Sequence, residues 1–351
     1  MAKASVAHDA HVAEPEAQNT FLTLNGFESK HYPVLTLPPE IVSEIFLRCI
    51  PPYPLYPPFA GPGSPTILTH ICRQWREIAL STPHLWRAIA FPGSAMRMPL
   101  DDPLLSDLLS RSGSCRLALK LIAIPSESQW AVMGAHCARL EFLKYMVMTT
   151  TIYPPYGVGT PMPHLRELNI WLDEDLDSDG AKIAWELPLL HSAILNDFAA
   201  QCLILPWAQL TVLGLVRVYL SECTPVLKQT PNLEVCELEL YFDLEVGNLS
   251  SVTLPRLKAL VFKAPNSNVP STAEHVREVL WVFITPALRI LRIPERFLGP
   301  TPQSSLASFM TDSGCSSLQT VCITGFRKRV PSTLYQEALP RTVAVSFEDM
   351  P

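Results

Sequence analysis

The 351-residue chain is poor in charge, in glycine and in paired cysteine. Only 17% of its residues are charged, below the quarter usual in globular domains. Its 27 basic residues do not outnumber its 33 acidic ones, and no Lys/Arg cluster or basic stripe stands out. Nucleic-acid binding leaves such a footprint, so no nucleic-acid partner is expected. Glycine numbers 14, with no G-x-G-x-x-G and no P-loop, so the usual phosphate cradles are missing. G-x-S-x-G and H-E-x-x-H are missing too, and no pattern sets a nucleophile beside a base. His70, His84 and His164 are scattered and read as structural. No catalytic residue, cofactor or metal site is expected.

Nine cysteines stand singly without a C-x-x-C pair, which argues against a zinc framework. Most lie beside apolar residues and read as small buried hydrophobes in a reducing compartment, cytoplasmic or nuclear. The N-terminus lacks the apolar stretch of a signal peptide. Cys202 to Leu220 is the most membrane-like run, but Pro206, Gln209 and Arg217 interrupt it, so no membrane span is expected.

One acidic stretch needs weighing. Asp175, Asp177, Asp179, Gly180 and Glu186 match the spacing of an EF-hand calcium loop. The segment before it, LRELNIW, reads as a strand rather than a helix, and Lys182 sits where the loop wants an apolar residue. Pro188 leaves room for only a short exit before a new helix. An acidic surface loop is the expectation.

What is abundant is apolar material, 48% of residues, and proline, 34 residues. Residues 1–33 are polar and without periodicity, and read as a disordered tail. Residues 34–91 carry helical patterns. Pro39 suits a first helical position, Ile41, Val42, Ile45, Phe46 and Cys49 share a face, and Pro51-Pro52 stops the helix. A proline-rich insert, 51–65, reads as a stiff connector. Leu68, Ile71, Cys72, Trp75, Ile78 and Ala79 then predict one continuous second helix. Thr82-Pro83 opens a short third turn carrying Leu85 and Trp86.

These stretches, LPPEIVSEIF, ILTHICRQW and LW, resemble the F-box, the adaptor-binding motif of SCF-type ubiquitin ligases, and look most like the F-box families of mushroom-forming fungi. The long Pro-rich insert departs from that pattern. The resemblance implies docking of a Skp-family adaptor, and through it a cullin scaffold, at Leu37, Pro38, Ile41 and Ile45, with Trp86 closing the patch. Phe46, Ile71, Cys72 and Trp75 would form the unit's own core.

From residue 100 to 351 a different pattern recurs, L-x-x-L-x-apolar, starting at Leu140, Leu165, Leu210, Leu233, Leu257, Leu288 and Leu318. Most copies follow a short Pro-containing segment. The spacing suits strand-plus-connection repeats stacked on a shared core, a leucine-rich-repeat-like solenoid with a curved parallel sheet and outer helices. The wide interval from Leu165 to Leu210 holds Leu187 to Cys202, a helical stripe, and so an insertion or a degenerate repeat. The expected fold is an N-terminal three-helix F-box-like unit followed by an irregular α/β repeat. Leucine-rich-like repeats behind an F-box are also what the resemblance implies.

Positions three, five and seven of each copy point away from such a core. They offer Glu167, Asn169, Trp171, Glu237, Glu239, Lys263 and Arg292 as a substrate-binding face. The expected function is a non-catalytic adaptor that holds a protein substrate for ubiquitin transfer. The alternatives are a repeat scaffold whose helical unit is only a cap, and an enzyme on an unrecognised α/β fold.

Overall fold

A tight turn precedes each leucine-rich strand, and proline explains its recurrence. The carbonyls of Met162, Leu187, Trp207, Thr230, Leu254, Thr285 and Cys315 accept from the N–H three residues on, at 3.1–3.4 Å. In five of these turns the second residue is proline (Pro163, Pro188, Pro231, Pro255 and Pro286), whose fixed φ suits that position. The turn delivers a buried leucine, and the next residue's N–H joins the preceding copy. Arg166, His191, Thr211, Glu234, Lys258, Arg289, Gln319 and Ala344 each donate to the equivalent carbonyl of the copy before, at 2.8–3.0 Å.

The computed structural model describes residues 33–91, 102–122, 127–146, 161–172, 183–241, 249–264, 279–325 and 331–348. The chain divides into two compact units, Met1–Pro38 and Pro39–Pro351. Of the first, a 3-10 turn at Pro33–Thr36 is described, and residues 1–32 of the expected tail lie outside the described residues.

Among its described residues the second unit is mixed α/β, built on one sheet of 11 parallel strands. We number these β1 (Ala88–Phe91), β2 (Leu117–Leu121), β3 (Leu140–Met146), β4 (Glu167–Trp171), β5 (Ser192–Asn196) and β6 (Val212–Val218). They continue as β7 (Val235–Leu240), β8 (Ala259–Lys263), β9 (Ile290–Pro294), β10 (Thr320–Thr324) and β11 (Ala344–Glu348). Spatial order equals chain order, so every strand pairs with the next in sequence. Register aligns Leu143, Leu168, Ala193, Leu213, Cys236, Leu260, Leu291 and Val321 in a single buried row. Burying one such leucine stabilises by about 1.5–3 kcal/mol, so this row is a principal source of the sheet's stability.

All seven L-x-x-L-x-apolar copies carry a strand. The wide interval is a degenerate repeat, not an insertion: Leu190 ends a turn, and β5 follows with Ala193 in the place of the second leucine. The expected helical stripe over Leu187 to Cys202 is therefore corrected to turn, strand and a short helix. The acidic motif falls mostly on 173–182, outside the described residues. Past it, Ile183–Ala184 pairs with Leu203–Ile204, and Pro188 lies in a turn rather than at a helix start.

The helices among the described residues are α1 (Pro39–Cys49), α2 (Pro65–Leu68), α3 (Arg73–Leu80), α4 (Asp102–Arg111) and α5 (Glu127–Gly134). Next come α6 (Asp197–Cys202), α7 (Leu220–Leu227), α8 (Pro302–Ser313) and α9 (Ser332–Ala338). Among the described residues no helix is long and apolar enough to cross a membrane, and Cys202–Leu220 is the end of α6, two strands, a 3-10 turn and the first residue of α7. Not every connection is helical. Val252–Thr253 and Phe283–Ile284 form a small parallel pair instead.

The continuous second helix expected over Leu68 to Ala79 is broken. The Thr69 hydroxyl donates to the Thr66 carbonyl at 2.7 Å, and Cys72 Sγ accepts from Trp75 N–H as the N-cap of α3. Such local side-chain bonds compete with helix continuation.

Candidate interaction surfaces

α1 begins at Pro39 and runs to Cys49, but only Val42 and Phe46 of its apolar face are buried. Phe46 meets Trp75 edge-to-face at 5.1 Å. Ile41 stays 49% exposed and Ile45 40% exposed. Ile71, expected in the core, is exposed, because the break before α3 swings it off the helical stripe; Cys72 is half-buried in its capping role. Trp86 is also corrected: it is 2% exposed, and its Nε1–H donates to the Ala79 carbonyl at 2.9 Å. It closes the core of the helical unit rather than a surface patch. Leu37 is half-buried and Pro38 exposed, both in the Met1–Pro38 unit.

The Pro-rich insert is more than a connector, because it straps the helical unit to the sheet. Tyr53 donates to Glu141 Oε2 at 2.9 Å, meets Phe142 edge-to-face at 5.5 Å, and carries the Arg87 guanidinium 4.0 Å above its ring. Glu141 also pairs with Arg166 at 3.1 Å. Tyr56 donates to the Leu119 carbonyl at 3.3 Å, and burial, with a smaller push from Glu167, raises its phenol to about 12. Burial first, then the bond to Glu141, raises Tyr53 as well. Both phenols stay neutral donors. Sequence reasoning missed this strap; its only trace was two tyrosines among prolines.

The outer face of the sheet holds all seven expected substrate residues. Glu167 and Lys263 are exposed, while Asn169, Trp171, Glu237, Glu239 and Arg292 are half-buried. The register brings Glu237, Glu239 and Lys263 together on β7 and β8, where Lys263 pairs with Glu237. Arg292 reaches across to Glu348, with Nη2 to Oε2 at 2.5 Å. Trp171 faces the guanidinium of Arg217, 5.6 Å from its centroid. Arg217 has a φ of 58° at a register shift in β6, which explains why an arginine in a strand reaches this row. Three other positions expected to be outward, Gly214, Val216 and Pro294, are buried. Gly214 is covered by its neighbour: a Cβ there would meet Ile194 Cγ1 at 3.2 Å.

Two members of this face, Lys120 and Ile194, lie outside the seven L-x-x-L copies, whereas Lys144, Val235 and Ile290 fall on their outward positions. Lys120 and Lys144 are direct register partners on β2 and β3. Ile194, Val235 and Ile290 leave 36%, 36% and 46% of their surface exposed. Ile194 belongs to the degenerate repeat, which hid it.

At the C-terminal end of β5, Asn196 joins two repeats. Its Oδ1 accepts from Leu172 N–H at 3.0 Å and from Ala199 N–H at 3.2 Å, capping α6, while its Nδ2 donates to the Leu172 carbonyl. None of the nine cysteines is joined in a disulfide. Burial pushes Cys223 up to about 12 and Cys236 well above the usual thiol range, so both stay protonated and pack as small apolar groups. No protein-family model matches the chain, and no curated protein is similar to it.

Proposed function

We propose that the chain is a non-catalytic substrate adaptor of an SCF-type ubiquitin ligase. Its helical unit is an F-box-like module that docks a Skp-family adaptor and, through it, a cullin scaffold. Its parallel sheet is a leucine-rich-repeat-like array whose outer face holds a protein substrate. The chain performs no chemistry of its own and acts by proximity, holding substrate lysines near the ligase. The observation that carries this reading is the split face of α1. Val42 and Phe46 seal the unit's core, while Ile41 and Ile45 face outward. Residues F-box-like in sequence thus leave apolar side chains free for another protein to bury.

A second reading has its own support. β1 runs on from the helical unit into the sheet, and the Tyr53 strap ties the two together. Both suit a helical unit that serves as a cap on a repeat scaffold. Calorimetry of the full chain against purified Skp-family adaptors separates the two. Micromolar or tighter binding is expected, lost when Ile41→Asp is combined with Ile45→Asp and weakened by Leu37→Ala with Pro38→Ala. Circular dichroism should show both variants still folded. If the wild-type chain has no affinity for any such adaptor, the adaptor reading fails and the cap reading stands.

A further inference from the structure

The outer sheet face is not uniform along the strand order. At its start, Lys120 and Lys144 are direct partners across the ladder, both half-buried, with no ion-pair partner among the described residues. Neighbouring strands lie about 4.8 Å apart, and like charges set directly opposite destabilise a sheet. Asn169, next in the same row, keeps its buried Oδ1 without a hydrogen-bond partner among the described residues. Farther along, the face turns apolar. Val212, Val235 and Ile290 share one register row through Ala259, and Ile194 leans in beside them over Gly214. The acids and bases beyond that row are largely spent on each other, Lys263 with Glu237 and Arg292 with Glu348.

We propose that this face binds an amphipathic helix of a partner protein, its acidic N-terminal turn set on Lys120 and Lys144 and its apolar stripe on Ile194, Val212, Val235 and Ile290. A carboxylate between the two lysines relieves their repulsion, and acidic residues in a first turn also suit the helix dipole. Residues on one helix face recur about every 5.4 Å, close to the strand spacing, so successive turns of the helix meet successive strands. Same-side residues of an extended chain recur at about 6.8 Å and drift out of step. The proposal rests on the reading of this face as the substrate surface, and gives that substrate a chemistry.

The test is selection of peptides from a random display library of about 24 residues, long enough as a helix to span from Lys120 to Ile290, on the full chain, followed by fluorescence anisotropy. Enriched peptides should carry Asp or Glu in their first turn and apolar residues at i, i+3 and i+7. Their affinity should fall at least tenfold with Lys120→Glu plus Lys144→Glu, fall comparably with Val235→Asp, and weaken with added salt. Circular dichroism on each variant confirms folding. Peptides that bind through Val235 but carry no acidic turn, or ignore the lysine pair, overturn the acidic-helix proposal and leave the substrate surface standing. If no peptide is enriched, or none responds to any change on this face, both fail together.

Discussion

At the residue scale the row of leucines under the sheet carries the clearest expectation. Leu168, Leu213 and Leu260 are fully buried and in register along the sheet, whereas Glu167 and Lys263 lie on the opposite face. Truncating each leucine to alanine should cost about 2–5 kcal/mol. Glu167→Ala and Lys263→Ala should stay within about 0.5 kcal/mol, because both are exposed and an exposed ion pair such as Lys263 with Glu237 contributes little. Denaturant titration decides it, and five small effects would mean the faces have been exchanged. His136 supplies a pH test. Burial first, and the Arg139 guanidinium second, lower its pKa below the ordinary histidine value. Arg139 donates to His136 Nδ1 at 3.1 Å while also holding the Leu109 and Cys115 carbonyls. The folded chain therefore keeps His136 neutral, and the unfolded chain takes up the proton first. This contribution is complete above the ordinary pKa of about 6.5 and is lost as pH falls through that value towards the lowered one. Between pH 7.5 and 5, His136→Asn, which keeps an acceptor for Arg139, should lose less melting temperature than wild type. Equal slopes would refute it.

At the element scale, whatever depends on spacing was readable. The ends of α1, the seven strands and the inward leucines follow from proline placement and period-2 alternation, which act locally. Two readings failed because the deciding partner was a single side chain. Ala193 in place of leucine concealed β5, although Leu187-Pro188 opens the same turn as its neighbours. The hydroxyl of Thr69 and the thiol of Cys72 divided a helix whose apolar stripe is otherwise continuous. The strap could not be read at all, since Tyr53 finds Glu141 only after the sheet forms. Tyr53→Phe removes that bond but keeps the ring on Phe142 and under Arg87, so a loss of about 0.5–1.5 kcal/mol is expected. Limited proteolysis should then cut within 51–65 sooner than in wild type. Unchanged cleavage would mean ring packing alone holds the strap.

At the scale of the whole molecule, the helical unit and the sheet share a backbone ladder. β1 pairs with β2 over Ala88 to Phe91, so the segment that ends the helical stretch is also the first strand of the array. Ile89 and Phe91 are buried with Leu119 and Leu121, their register partners, and Tyr56 adds a bond to the Leu119 carbonyl. An array of stacked repeats needs a covered end, since an exposed terminal strand offers unpaired backbone groups and apolar surface to other chains. Deleting residues 39–91 should therefore do more than remove the proposed interaction site. It strips β2 of its neighbour and uncovers the end of the leucine core. The truncated chain is expected to melt several degrees lower than the full chain and to form higher-order species in light scattering at micromolar concentration. Ile41→Asp with Ile45→Asp, which alters only the outer edge of α1, should leave both properties unchanged. That pair of results separates two roles proposed for one segment, an end cover for the sheet and a docking edge for a partner. An unaltered melting temperature after the deletion would show that the array closes its own end, leaving only the docking role for the helices.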